Sequence, residues 1–169
     1  MYLVRRYAEE SNNDRTIILT HYYIPAQIRR NNQGLAFRKK LDLNGKDTIL
    51  MPYHINENHW ISLNVDLKLN TITVYDSIYN SEILSVYHQI RNDITEYINW
   101  EKTAREQDNI EMFELIIDHN FIQQQDSLSC GLWTLANIKA ILIQDNRLHI
   151  IPKRGTELRK LIHLELASN

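Results

Sequence analysis

The chain of 169 residues contains one cysteine, three prolines and four glycines. A single cysteine excludes an intramolecular disulfide, and so little glycine and proline leaves no composition shift that would mark an interdomain linker. No apolar run approaches the roughly 20 residues needed to cross a bilayer. The N-terminal MYLVRRYAEE lacks the uninterrupted apolar core of a secretory signal. Neither sign of charge dominates, because 19 Lys and Arg stand against 21 Asp and Glu for a formal net charge of -2. That balance removes any overall electrostatic reason to expect nucleic acid or an anionic membrane as partner. Internal repeats and low-complexity tracts are missing as well.

Apolar residues at 43% and charged residues at 24% are ordinary for a globular protein. The reading is one domain over residues 1–169, monomeric, in a reducing compartment such as the cytosol. A longer parent protein stays open.

Three short stretches rich in β-branched and aromatic residues, TILMPYHI (48–55), WISLNV (60–65) and TITVYD (71–76), read as consecutive strands of one sheet. The last two are joined by only DLKLN's turn residues, which predicts an antiparallel hairpin, with Asp66 serving the turn. Ile83, Leu84, Tyr87, Ile90, Ile94, Tyr97 and Ile98 recur at spacings of three and four, predicting an amphipathic helix from Ser81 to about Glu106. MFELIID (112–118) reads as another strand, Gly131 to Ile143 as a buried helix, and Gly155 to Ala167 as a closing helix. Residues 21–32 are expected to form a short helix opening at Pro25, with connecting structure from there to Gly45.

Cys130 stands directly before Gly131 and that buried helix. At a helix start, unpaired N–H groups and the positive end of the dipole favour an anion, here a thiolate. Taken alone, a free cysteine is more often a small buried hydrophobe. A nucleophilic thiol needs a base, the base an orienting group, and the tetrahedral intermediate a donor for its oxyanion. His59 begins one hairpin strand and Asp76 ends the other, so the pairing brings a carboxylate to an imidazole. Gln124 lies ahead of the cysteine in QQQDSLS, where its amide can reach over the same site; Gln123 and Gln125 flank it, and the spacing to Cys130 selects it.

These residues resemble a known family. His59-Trp60, Val74-Tyr75-Asp76-Ser77 and Gln124-x-Asp126-x-x-Ser129-Cys130-Gly131, in that order, are similar to the motifs of the ubiquitin-like-protein proteases of peptidase clan CE. That group includes SUMO and NEDD8 proteases, the adenoviral protease and bacterial effector deubiquitinases. The resemblance covers residues 48–143. It implies an α+β, papain-like fold with a central, mostly antiparallel sheet, the cysteine helix against it and helices around. It also implies Cys130 as nucleophile, His59 as general base and acid, Asp76 as orienting carboxylate and Gln124 as oxyanion donor. Trp60 and Ser129 would belong to the channel for the modifier's Gly-Gly tail, where any side chain on the tail would clash. Ser-Cys-Gly, in place of the sentrin proteases' Asp-Cys-Gly, looks more like the effector branch, and with it comes the expectation of an enzyme secreted into a host cytosol. A second tryptophan that lids the channel in sentrin proteases has no counterpart upstream of His59.

The implied function is a cysteine isopeptidase that removes ubiquitin, or a ubiquitin-like modifier, from lysine side chains. SUMO or NEDD8 specificity and acetyl transfer by an effector of the same clan are the alternatives. No cofactor is required. His21, His54, His88, His119, His149 and His163 are not spaced as a metal site and read as surface or structural. Trp133 reads as core, and Asp126 as a cap of the turn before the cysteine helix.

Overall fold

The protein is described by a computed structural model, which covers residues 2–11, 13–32, 41–56, 58–103, 111–143 and 155–167. The expected extension of the long helix to Glu106, part of the connecting stretch (33–40) and His149 lie outside the described residues. In chain order the elements are α1 (Tyr2–Ser11), β1 (Thr16–Ile18), α2 (Tyr23–Asn32), β2 (Thr48–Ile55), β3 (His59–Asp66) and β4 (Thr71–Tyr75). A 3-10 turn (Ser81–Ile83) follows, then α3 (Leu84–Thr103), β5 (Glu114–Ile117), α4 (Cys130–Leu142) and α5 (Gly155–Ala167).

The five strands form one sheet in the order β1-β2-β3-β4-β5. Its centre is antiparallel, with Ile55 opposite His59 in β2–β3 and Ser62 opposite Tyr75 in β3–β4. Both outer pairings are parallel: β1 on β2 and β5 on β4. The hairpin turn is fixed by Asp66, whose Oδ1 accepts the N–H groups of Lys68 (2.9 Å) and Leu69 (2.8 Å). Asn70 closes it at φ 52, in the left-handed region that asparagine tolerates better than most residues.

Strand alternation splits the core into two layers. Ile49, Met51, Ile61, Leu63, Val65, Ile72 and Val74 face α2 and α3, where Tyr87, Ile90, Ile94, Tyr97 and Ile98 supply the opposing stripe. The opposite face of the sheet carries Leu50 toward a second cluster built from Leu3, Val4 and Tyr7 of α1, Trp133, Ile138 and Leu142 of α4, and Leu158 and Ile162 of α5. On that face a buried hydrogen bond from Asn137 Nδ2 to Ser62 Oγ (2.7 Å) locks α4 to β3. Trp133 is fully buried, as a core role requires. Pro25 occupies the third position of α2, where its missing N–H costs nothing, so the helix begins at Tyr23. Among the described residues no helix is long and apolar enough to cross a membrane.

Candidate active site

The site lies at the end of the sheet where β3 begins and β4 has just ended. The hairpin register carries Asp76, one residue beyond β4, back toward His59, the first residue of β3. His59 Nε2 is 2.7 Å from Asp76 Oδ1. An ionised carboxylate can only accept, so Nε2 carries the proton and Nδ1 is the nitrogen left for a second partner. Cys130, the first residue of α4, interacts with the same imidazole. The sheet thus supplies the imidazole and the carboxylate, and the helix supplies the thiol.

Asp76 is buried with every carboxylate contact satisfied. Oδ1 also accepts the Ile78 N–H (2.7 Å), and Oδ2 accepts the hydroxyl of Tyr87 from α3. Burial pushes the Asp76 carboxyl up, but the hydrogen bonds from His59, Tyr87 and Ile78 together outweigh it and hold the group below the usual carboxylate range. Burial pushes the His59 imidazole down. Hydrogen bonding and charge attraction from Asp76 and Cys130 reverse this, leaving it above its ordinary value. Both neighbours thus favour the protonated form of the imidazole over what burial alone would allow.

The loop ahead of the cysteine has no regular structure and is held by side chains. The Gln124 N–H donates to the Ser77 carbonyl (2.8 Å), and the Ser77 hydroxyl donates to Gln124 Oε1 (2.6 Å). Gln124 Nε2 donates to the Asp126 carbonyl. Asp126 folds the next turn: Oδ1 accepts the Leu128 N–H (2.8 Å) and Oδ2 the Ser129 hydroxyl (2.9 Å). Ser129 is buried, with its side chain committed to this loop. Gly155, the first residue of α5, sits against the same spot. A Cβ there would lie 1.9 Å from Ser129 Oγ and 2.6 Å from Asp126 Oδ2, so no other residue fits without moving the loop.

Trp60 is half-buried between two histidines. His21 meets it edge-on at 5.0 Å between ring centroids, and His54 lies tilted over it at 4.5 Å. Trp60, His21, Val4, Pro52, Gly131, Thr134 and Leu135 enclose a cavity of about 290 Å³ next to the cysteine. A Cβ on Gly131 would stand 3.7 Å from Trp60, an ordinary contact, so this glycine leaves room in the cavity without being sterically obligatory.

His59, Asp76, Gln124, Cys130, Trp60 and Ser129 all come together at this one end of the sheet. Sequence reasoning passed over four further contributors. Tyr87 reads as a core aromatic of α3, although a buried tyrosine hydroxyl usually finds a partner and so carries a signal. Gln123 was read only as a neighbour of Gln124, yet its Nε2 donates to the Asp76 carbonyl (2.9 Å) and its Oε1 accepts the Tyr79 N–H (3.0 Å). His21 and His54 read as surface or structural, and the structure packs both on Trp60, a placement their spacing in the sequence does not signal. Among the described residues, no group of three or more His, Cys, Asp or Glu is placed to hold a metal ion.

Comparisons with known proteins bear on the family and the fold. The profile of the Ulp1 protease family, C-terminal catalytic domain, matches residues 3–149. No curated protein matches the sequence significantly. Among solved structures, the SUMO protease Ulp1 with its catalytic cysteine oxidised to a sulfenic acid is similar at a TM-score of 0.68 and 23% identity, over 94% of this chain and 71% of that one. The Ulp1 protease domain in complex with Smt3, the yeast orthologue of SUMO, gives 0.64 and 20%, over 92% and 69%. The Chlamydia trachomatis effector Cdu1 bound to ubiquitin gives 0.53 and 14%, over 98% and 90%. At these identities the structural likeness establishes the clan's α+β fold, and the profile match over most of the chain establishes kinship: the chain belongs to the Ulp1 protease family of cysteine proteases.

Proposed function

We propose that this domain is an isopeptidase that removes ubiquitin from lysine side chains, with Cys130 as nucleophile, His59 as general base and acid, Asp76 as orienting carboxylate and Gln124 as oxyanion donor. The observation that carries the reading is the buried, fully hydrogen-bonded Asp76 holding His59 by Nε2, with Cys130 as the other side chain that interacts with this imidazole. The Cys130 thiolate attacks the carbonyl carbon of the modifier's terminal glycine. The tetrahedral intermediate collapses with cleavage of the C–N isopeptide bond as His59 protonates the departing lysine amine. His59 then takes a proton from water, whose oxygen attacks the thioester, releasing the modifier's carboxylate and restoring the thiolate.

For Gln124 to act, its Nε2 must turn from the Asp126 carbonyl toward the site, a rotation of one side chain. The backbone bond from the Gln124 N–H to the Ser77 carbonyl is unaffected by that rotation and keeps the residue beside Ser77. The cavity beside Trp60 and Gly131 is proposed to receive the apolar residue preceding the Gly-Gly tail, with His21 in the position facing Trp60.

Ubiquitin is preferred to SUMO or NEDD8 on Ser129-Cys130-Gly131, which resembles the effector branch, and Cdu1 shows that a similar fold carries ubiquitin. The test compares kcat/KM on ubiquitin, SUMO and NEDD8 carrying a fluorogenic amine on the terminal glycine. Ubiquitin is expected to be turned over fastest, with no turnover by Cys130→Ala. A preference for SUMO would replace ubiquitin in this reading, and inertness toward all three would remove it.

A further inference from the structure

The proposed reaction uses three side chains and an amide, yet the carboxylate at its centre has one more side-chain donor. Tyr87, in the first turn of α3, is fully buried, and its hydroxyl donates to Asp76 Oδ2. The other oxygen, Oδ1, is shared by His59 Nε2 and the Ile78 N–H, each at 2.7 Å. The Asp76 side chain is 0% exposed, so water cannot stand in for any of these donors.

We propose that Tyr87 is a positioning residue that sets the proton affinity of the Asp76–His59 pair and fixes the carboxylate plane against the imidazole. A hydroxyl donating to a buried carboxylate stabilises the anion most where that anion is least compensated, which is the state with His59 neutral. Removing the donor therefore raises the affinity of the pair for a proton, whichever of the two side chains holds it. The groups facing the pair are His59 from β3, Cys130 from α4 and Tyr87 from α3. Tyr79, from the connection before α3, stacks on Tyr87 with ring centroids 6.5 Å apart and planes at 21°, and is itself met edge-on by His119. Tyr79 backs the phenol and so holds its hydroxyl on Asp76. Burial and the Asp76 bond both push the Tyr87 phenol up, so it stays a donor throughout the working range.

The experiment is a titration of the His59 ring followed by NMR in the whole domain, which does not depend on which modifier is the substrate. In Tyr87→Phe the midpoint is expected to rise by roughly 1 pH unit. Site-specific 3-fluorotyrosine at position 87, a stronger donor of nearly the same volume, is expected to move the midpoint the other way. It serves as the second variant should Tyr87→Phe fold poorly. The kinetic arm rests on the protease reading above: Tyr87→Phe should lower kcat about tenfold with KM little changed. The same change made in an Asp76→Asn background should cost almost nothing further. An unmoved midpoint in whichever of the two variants folds, whatever happens to thermal stability, overturns the proposal and leaves Tyr87 as a core aromatic. A wild-type protein inert toward every modifier substrate would remove the proposed function while the titration still decides the role of Tyr87.

Discussion

The two halves of the site are built on different principles. On the hairpin side, His59 and Asp76 are placed by strand register and sealed by α3, and every oxygen of the carboxylate has a buried donor. On the cysteine side, residues 124–129 have no ladder to follow, and their shape depends on bonds made by side chains: the Ser77 hydroxyl to Gln124 Oε1, and Asp126 accepting from the Leu128 N–H and the Ser129 hydroxyl. Leu128 is 80% exposed in the middle of this loop, two residues before a cysteine that is almost wholly buried. The sheet half is rigid by burial, and the loop half is shaped but open. An enzyme that must hold a charge pair constant while admitting a peptide needs both kinds of construction.

Breaking the hairpin half should have the largest effect. Asp76→Asn keeps the shape but cannot orient the imidazole in the same tautomer, and kcat is expected to fall by about 10² to 10⁴, measured by single-turnover kinetics. On the loop side, Gln124→Ala should lower kcat by about 10² with KM nearly unchanged, the pattern of a donor used only in the transition state. Gly155→Ala places a methyl into Ser129 and Asp126 and should cost about 1–3 kcal/mol, read by denaturant unfolding. It should also slow alkylation of Cys130 relative to the wild type while leaving the His59 titration unmoved, because the strain falls on the loop alone. A shifted His59 midpoint in Gly155→Ala would show that the two halves are coupled after all.

The smallest effect is the pH dependence of stability, where the two partners have opposite signs. The Asp76 carboxyl is held below its ordinary value of 3.8, so its contribution is present above that value and is lost as pH falls through the lower, folded value. The His59 imidazole is held above its ordinary 6.5, so its contribution is complete below 6.5 and is lost as pH rises through the higher, folded value. Thermal melts should therefore decline on the alkaline side of 6.5, and Asp76→Asn should flatten that decline.

Much of this arrangement was legible in the sequence because it is local. β2 spans the predicted residues, β3 gains one at each end and β4 stops just short of Asp76. The hairpin register then predicts the His59–Asp76 contact from two strand positions. The helices α3, α4 and α5 follow from their apolar spacing. What was missed depends on distant partners. β1 has only three residues, too few for any period, and exists by pairing in parallel with β2. α1 carries its apolar residues at Leu3, Val4 and Tyr7, a stripe that becomes meaningful only against α4 and α5. The parallel edges that make the sheet mixed are likewise set by packing across the chain. Gly155 gave no sign of its role because the serine it must not touch belongs to another element. Tyr87 sat in an apolar stripe, where its ring concealed what its hydroxyl does.

The central claim is that the His59–Asp76 pair makes Cys130 the nucleophile toward a modifier's terminal glycine. It is tested most directly by incubating the domain with ubiquitin bearing a C-terminal propargylamide and locating the adduct by intact mass and peptide mapping. The account predicts one covalent ubiquitin on Cys130, absent in Cys130→Ala and formed far more slowly in Asp76→Asn. A wild-type domain whose Cys130 reacts with a small alkylating reagent but forms no adduct with ubiquitin, SUMO or NEDD8 probes would contradict it.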